Sequence, residues 1–219
     1  NTVVAGGKDG GLLVWDIATG ETLARVRGHH EAPCSSIALS EDSRCMISAG
    51  GDGKVKLWDP RVKRLFSEVE FVGIGGSGHV TPLTCVDLIG EYGVAAGGID
   101  GTVNVFDIHR ASMSSSRLSS KWRFFDAIGG IHCMTSASRE GLLVGDGRGI
   151  LLTYDMVMGK LKYGLGASAS GPVKCVHAVE SMRKVVTGGE DASVRLWDVE
   201  ACRFLRSFPG HTAAVTAVV

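Results

Sequence analysis

The sequence predicts an all-β chain made of repeated antiparallel sheets, and three observations carry that prediction. One motif recurs five times along the 219 residues. Each copy joins an apolar stretch to a second stretch through a Gly/Asp turn. The 31 glycines gather in these short turn motifs and not in a low-complexity tract.

The five copies are Val4–Asp16, Ile47–Asp59, Ala95–Asp107, Val144–Asp155 and Val186–Asp198. An aromatic residue stands just before each closing aspartate: Trp15, Trp58, Phe106, Tyr154 and Trp197. The steps between these aromatics are 43, 48, 48 and 43 residues. Each copy reads as strand, tight turn, strand. Val55 with Leu57, and Val103 with Val105, show the two-residue period of a half-buried sheet. A further strand precedes most copies. Gly28-His29-His30 leads to Cys34, Ile37 and Leu39. Gly78-His79 leads to Leu83, Val86 and Leu88, and Gly210-His211 to Val215 and Val218.

This order of Gly-His, apolar strand, turn Asp and Trp-Asp resembles the WD-repeat family over nearly the whole chain. The resemblance implies a β-propeller of four-stranded antiparallel blades around a central channel. Five blades are expected, one of them split between the chain ends: 211–219 plus 1–28, then 29–72, 78–126, 127–167 and 168–209. It also implies a buried network in each blade, linking a loop His, a strand hydroxyl, the turn Asp and the Trp. Blade two has all four, as His30, Ser48, Asp52 and Trp58. His30 fits better than His29, because the strand that follows then matches the register after His79. Blade three keeps His79 and Asp100 but has Ala96 and Phe106. Blade five keeps Thr187, Asp191 and Trp197, with Ala169 where the His belongs. The split blade offers His211, Asp9 and Trp15. Blade four has Ala127, no turn Asp in register, and Tyr154, so apolar packing alone is expected to hold it.

The ends admit two readings. Residues 211–219 could complete the first sheet and close a five-bladed ring. Alternatively the chain is part of a larger propeller, which the start at Asn1 and the typical blade number favour.

The turn and Gly-His loops share one face, where Lys8, His29, Glu31, Ile99, Arg148, Glu190 and Thr212 are candidate contacts for a peptide or protein loop. Their charges are mixed. The other face carries a Ser-rich insertion between Asp107 and Trp122 that cannot bury enough apolar surface to pack alone. Ser112 and Ser119 lie near basic residues there and are candidate phosphorylation sites, and Trp122 is expected to anchor the strand that follows. The Trp58-Asp59-Pro60-Arg61 stretch resembles the Trp-Asp-x-Arg box of substrate receptors of cullin-RING ubiquitin ligases. That likeness implies a docking role for Arg61 on a ligase adaptor.

The expected function is a non-catalytic interaction scaffold. The histidines recur with the repeat, which a reaction does not need. Gly145–Gly149 is a blade turn and lacks the Lys and helix of a phosphate loop. No cysteine pair has metal-site spacing, so no metal or cofactor is expected. Cys85, Cys133 and Cys175 share one repeat position that takes a small side chain. Free thiols point to the cytosol or nucleus. With 23 basic and 23 acidic residues, the chain gives no reason to expect nucleic acid or membrane as partner.

Overall fold

The computed structural model describes residues 2–40, 45–59, 64–70, 80–90, 93–107, 119–138, 141–179 and 183–219. Among the described residues it contains nineteen strands and no helix. Among the described residues no helix is therefore long and apolar enough to cross a membrane.

The strands follow the chain in order. They are β1 (Thr2–Gly6), β2 (Leu12–Asp16) and β3 (Thr22–Val26), then β4 (Cys34–Leu39), β5 (Met46–Gly50), β6 (Lys54–Asp59) and β7 (Arg64–Glu70). Next come β8 (Leu83–Ile89), β9 (Gly93–Gly98), β10 (Val103–Asp107) and β11 (Ser119–Phe124). The fourth group is β12 (Ile131–Ser138), β13 (Gly141–Asp146), β14 (Ile150–Asp155) and β15 (Lys160–Gly166). The fifth is β16 (Val173–Val179), β17 (Lys184–Gly189), β18 (Val194–Asp198) and β19 (Arg203–Phe208). Each group is one antiparallel meander: a three-stranded sheet β1–β3 and four four-stranded sheets.

Two irregularities repeat with the blades. Near the start of the first strand the register slips by one residue, leaving Ser35, Thr84, His132 and Lys174 unpaired in blades two to five, and in blade four it slips again at Ala137. Between the last two strands it slips just before the aromatic residue in all five. Bulges of this kind raise local twist and re-aim a side chain.

The core lies between neighbouring sheets. Ile47, Val55 and Leu57 of blade two pack with Leu83, Val94 and Phe106 of blade three. Val103 and Phe124 pack with Ile131, Leu142 and Tyr154 of blade four, and Leu143 and Leu151 with Val173 and Trp197 of blade five. Close approach needs a small residue after the network hydroxyl position. A side chain at Gly97 would begin 2.6 Å from Ile131 of the next blade, one at Gly145 2.8 Å from Val173, and one at Gly188 2.6 Å from Val215. Trp122 spans the same boundary further out. Its ring lies against Gly159, which has a φ of 63° and no side chain to block the approach. Cys85, Cys133 and Cys175 are buried, at the small-residue position the repeat predicted.

The two end sheets differ from the inner ones. β5 is buried along its whole length, whereas β1 is mostly exposed. Residues 209–219 form no strand, and among the described residues the first sheet ends at β1 with no fourth strand paired to it. The C-terminal stretch instead continues the step from blade to blade. Val215 donates its N–H to the Gly189 carbonyl at 3.0 Å, as Cys34 donates to Gly7 at 3.1 Å. The described sheets therefore do not close into a ring, and no hydrogen bond among them joins His211 to Asp9.

Candidate interaction surface

The turns that end β1, β5, β9, β13 and β17 share one end of the sheets, and their geometry starts with the turn aspartates. Asp52 accepts the Lys54 N–H at 3.1 Å and the Glu31 N–H of the preceding loop at 3.0 Å. His30 Nδ1 lies 2.9 Å from Asp52 and its Nε2 2.9 Å from Ser48 Oγ. With Nδ1–H donated to the carboxylate, Nε2 is left to accept the serine hydroxyl. Asp191 holds its loop in the same way, accepting from the N–H of Ala169 at 2.6 Å and of Ser193 at 3.1 Å. Asp100 accepts from Thr81 Oγ1 and from the Thr102 N–H. Asp9 is exposed and, among the described residues, accepts only the Gly11 N–H of its own turn. Thr187 accepts the Trp197 indole N–H at 2.9 Å.

Several expectations are corrected by these contacts. Trp58 does not complete the blade-two network: its indole nitrogen is buried without a hydrogen-bond partner among the described residues. His29 lies beside Ser48 instead, with Nε2 2.8 Å from the hydroxyl and its ring 5.3 Å from the Trp58 ring. His29 is 8% exposed, so it is withdrawn as a partner contact. Blade four does not rest on apolar packing alone. Asp146, 1% exposed, accepts the N–H groups of Ile128, Arg148 and Ile150. It stands two residues ahead of the position that holds Asp52, which hid it from an in-register comparison. His211 is exposed and Trp15 half-buried, so neither is locked into a closed blade. His79, Arg61 and Ser112 lie outside the described residues, as does the side chain of Ser119, whose backbone is in β11.

A long cationic side chain four residues after the turn Asp was missed entirely. In blade two this is Lys56, buried, whose Nζ donates to the His29 carbonyl. In blade five it is Arg195. One arm donates to the Ala167 carbonyl at 2.9 Å and the other to Asp191 at 2.7 Å. Arg195 thus takes the charge-partner role that blade five lacks a histidine to fill, using a planar fork that reaches two acceptors at once.

What these anchors present is an exposed rim. Lys8, Glu31, Arg148, Glu190 and Thr212 are exposed, and Ile99 is 60% exposed. Glu31 faces Lys54 at 3.5 Å and Glu190 faces Lys174 at 3.0 Å. Phe125 and Ile128 join Ile99 as exposed apolar side chains on this rim; no repeat position marks them. Burial and Lys174 together depress His132, while Asp146 and Glu190 pull the other way. The described residues contain no cluster of three or more side chains able to hold a metal.

Comparison with known proteins places this geometry. The family model described as "WD domain, G-beta repeat" matches residues 20–59 and 159–198. WD repeat-containing protein 55 of Bos taurus is 24% identical over 207 residues, covering 94% of this chain and 50% of that protein. Autophagy-related protein 16 of Arabidopsis thaliana is 31% identical over 114 residues, 52% of this chain and 22% of the other. Cilia- and flagella-associated protein 52 of Homo sapiens is 21% identical over 220 residues, 99% of this chain and 33% of the other. The chain spans about half the length of the first of these relatives, or less of the others. Five repeated antiparallel meanders, the recurring Asp-anchored turns and these matches agree: the chain carries WD repeats, and over nearly its whole length it is similar to WD repeat-containing proteins.

Proposed function

We propose that the chain is a non-catalytic scaffold that holds a peptide or loop of another protein on its turn-bearing rim, within a multiprotein complex. One observation carries the reading. The exposed residues of the rim stand on turns whose backbones are fastened by buried or half-buried carboxylates, Asp52, Asp100, Asp146 and Asp191. Anchored turns with exposed tips are preorganised, which lowers the ordering cost of binding. Mixed charge on the tips favours a protein over a polyanion. None of the six cysteines is joined in a disulfide, which supports a reducing compartment, cytosol or nucleus.

The test is affinity purification of the full-length protein, wild type against an Arg148→Glu and Glu190→Lys double variant, read by quantitative mass spectrometry. Loss of a defined set of partners supports the reading. An unchanged partner list removes the rim as the binding surface.

A further inference from the structure

We infer that the rim over the junction of blades three and four is a docking site for an acidic peptide with apolar anchors. This deepens the scaffold reading and rests on it. The argument begins with Asp146. Its two carboxylate oxygens hold the Ile128 N–H at 3.2 Å and the Arg148 N–H at 3.0 Å. A single buried carboxylate therefore fixes the backbones of two residues whose side chains are exposed.

Ile99, on the turn of blade three, is brought to the same place. It donates its N–H to the Pro82 carbonyl at 3.0 Å. A side chain at Gly130 would begin 2.9 Å from the Ile99 carbonyl oxygen, so the 127–130 loop lies directly on that turn. Gly129 in turn abuts Gly147, the neighbour of Arg148: a side chain there would begin 3.3 Å from the Gly147 Cα. Glycines at these contacts let three backbone segments pack without intervening side chains. The result is an exposed apolar pair, Ile99 at 60% and Ile128 at 50%, on a rigid base, with Phe125, 54% exposed, at the start of the same connection as Ile128. Contiguous exposed apolar side chains rimmed by polar ones are the usual mark of an interaction site.

Charge selects the occupant. The nearby cation Lys174 is already neutralised by Glu190, and Arg195 by Asp191. Arg148 is exposed and forms no ion pair among the described residues. An unpaired guanidinium beside apolar side chains, on a turn its own backbone bonds hold still, matches a carboxylate flanked by apolar residues. An aspartate or glutamate would take Arg148, and Leu-, Ile- or Phe-like side chains within a few residues of it would cover Ile128 and Ile99.

The test is selection of a randomised phage-displayed peptide library on the full-length protein, followed by affinity measurement on the selected synthetic peptides by fluorescence anisotropy. Selected sequences are expected to carry an acidic residue close to apolar ones. Arg148→Glu and Ile128→Asp should each weaken binding about tenfold or more, a change of about 1.4 kcal/mol. An acid-to-lysine change in the peptide should restore affinity to the Arg148→Glu variant. Both side chains are exposed, and an unchanged melting midpoint verifies that the variants fold. Selected peptides that ignore these variants but lose affinity in Glu190→Lys or Lys8→Glu would overturn the site and leave the scaffold reading standing. A library that yields no binder overturns the site, and the purification experiment then decides the scaffold reading by itself.

Discussion

His29 holds its Nε2 2.8 Å from the Ser48 hydroxyl, on the same oxygen that His30 approaches at 2.9 Å. One hydroxyl has one proton to give. With His30 neutral, its Nδ1–H given to Asp52 and its Nε2 accepting that proton, His29 must donate Nε2–H to a serine lone pair. Two adjacent imidazoles thus converge on one oxygen with opposite roles. The indole of Trp58, buried at 2% exposure, contributes packing and, among the described residues, no hydrogen bond to this arrangement.

The two tryptophans at the same repeat position should then respond differently to removal of their nitrogen. Trp197 donates to Thr187, which is fully buried. Trp197→Phe leaves that hydroxyl without its donor and should cost about 1–3 kcal/mol. Trp58→Phe removes only an unpaired buried donor and should be neutral or slightly stabilising. Urea denaturation of the two full-length variants compares them directly. Equal losses would show that Trp58 is bonded after all.

Acid should weaken blade five through a known carboxylate. Burial works against ionisation of Asp191, but Arg195 and the N–H groups of Ala169 and Ser193 outweigh it, so the folded pKa lies below the ordinary 3.8. Asp52 is shifted the same way: burial opposes ionisation, and the N–H groups of Glu31 and Lys54 with His30 overcome it. An unfolded chain protonates these groups first. Their stabilisation is complete above the ordinary value and is lost as pH falls through the lowered folded value. Asp191→Asn should therefore be destabilised relative to wild type near neutral pH, and the gap should narrow below about pH 4. Chemical denaturation at several pH values measures it. A gap that does not change with pH would remove the carboxylate as its source.

The blades could be read from the sequence because their information is local. Period-two strands and Gly/Asp turns repeat at near-constant spacing, and a slip of one residue would turn every buried side chain outward. The contents of the network were less legible. Spacing cannot choose between His29 and His30 as the one neighbour of Ser48, since both reach it. Arg195 escaped notice because it approaches Asp191 from across the turn, four residues on, and not from the loop where the histidine was sought. Asp146 escaped because it reaches three N–H groups from two residues upstream of the repeat position. The exposed Ile99 and Ile128 come from two segments, the β9–β10 turn and the β11–β12 connection, that meet only in the folded chain.

Close packing between blades predicts a cost for adding one methyl group. At Gly145 it would begin 2.5 Å from Cys133 Sγ and 2.8 Å from Val173 Cβ. Neither atom is the free end of a long side chain, so the sheets themselves must shift. Gly145→Ala should destabilise the protein by about 1–3 kcal/mol. Blade two already carries Ala49 at the same place, buried at 0% exposure, so Ala49→Gly should not bring a matching gain. It should cost instead, through the lost methyl and the looser backbone. Melting midpoints of both variants separate a steric rule specific to each boundary from a general preference for glycine.

The thiols offer a chemical readout of the same packing. Cys202 is exposed on the β18–β19 turn, whereas Cys85, Cys133 and Cys175 are buried. Burial pushes the Cys85 thiol up to about 12 and raises Cys133 and Cys175 as well. The Cys133 and Cys175 thiols also donate to the carbonyls of Val173 and Val215, one blade further on. Alkylation needs the thiolate and access to it, and these three have neither while the sheets stay stacked. Iodoacetamide at pH 8, with sites mapped by peptide mass spectrometry, should modify Cys202 first. Cys85, Cys133 and Cys175 should become reactive together only in denaturant. Of the three, Cys175 is the most informative, because its bond to Val215 is made by the C-terminal stretch. If Cys175 reacts in the native protein while Cys133 stays protected, Val215 does not hold its place against blade five.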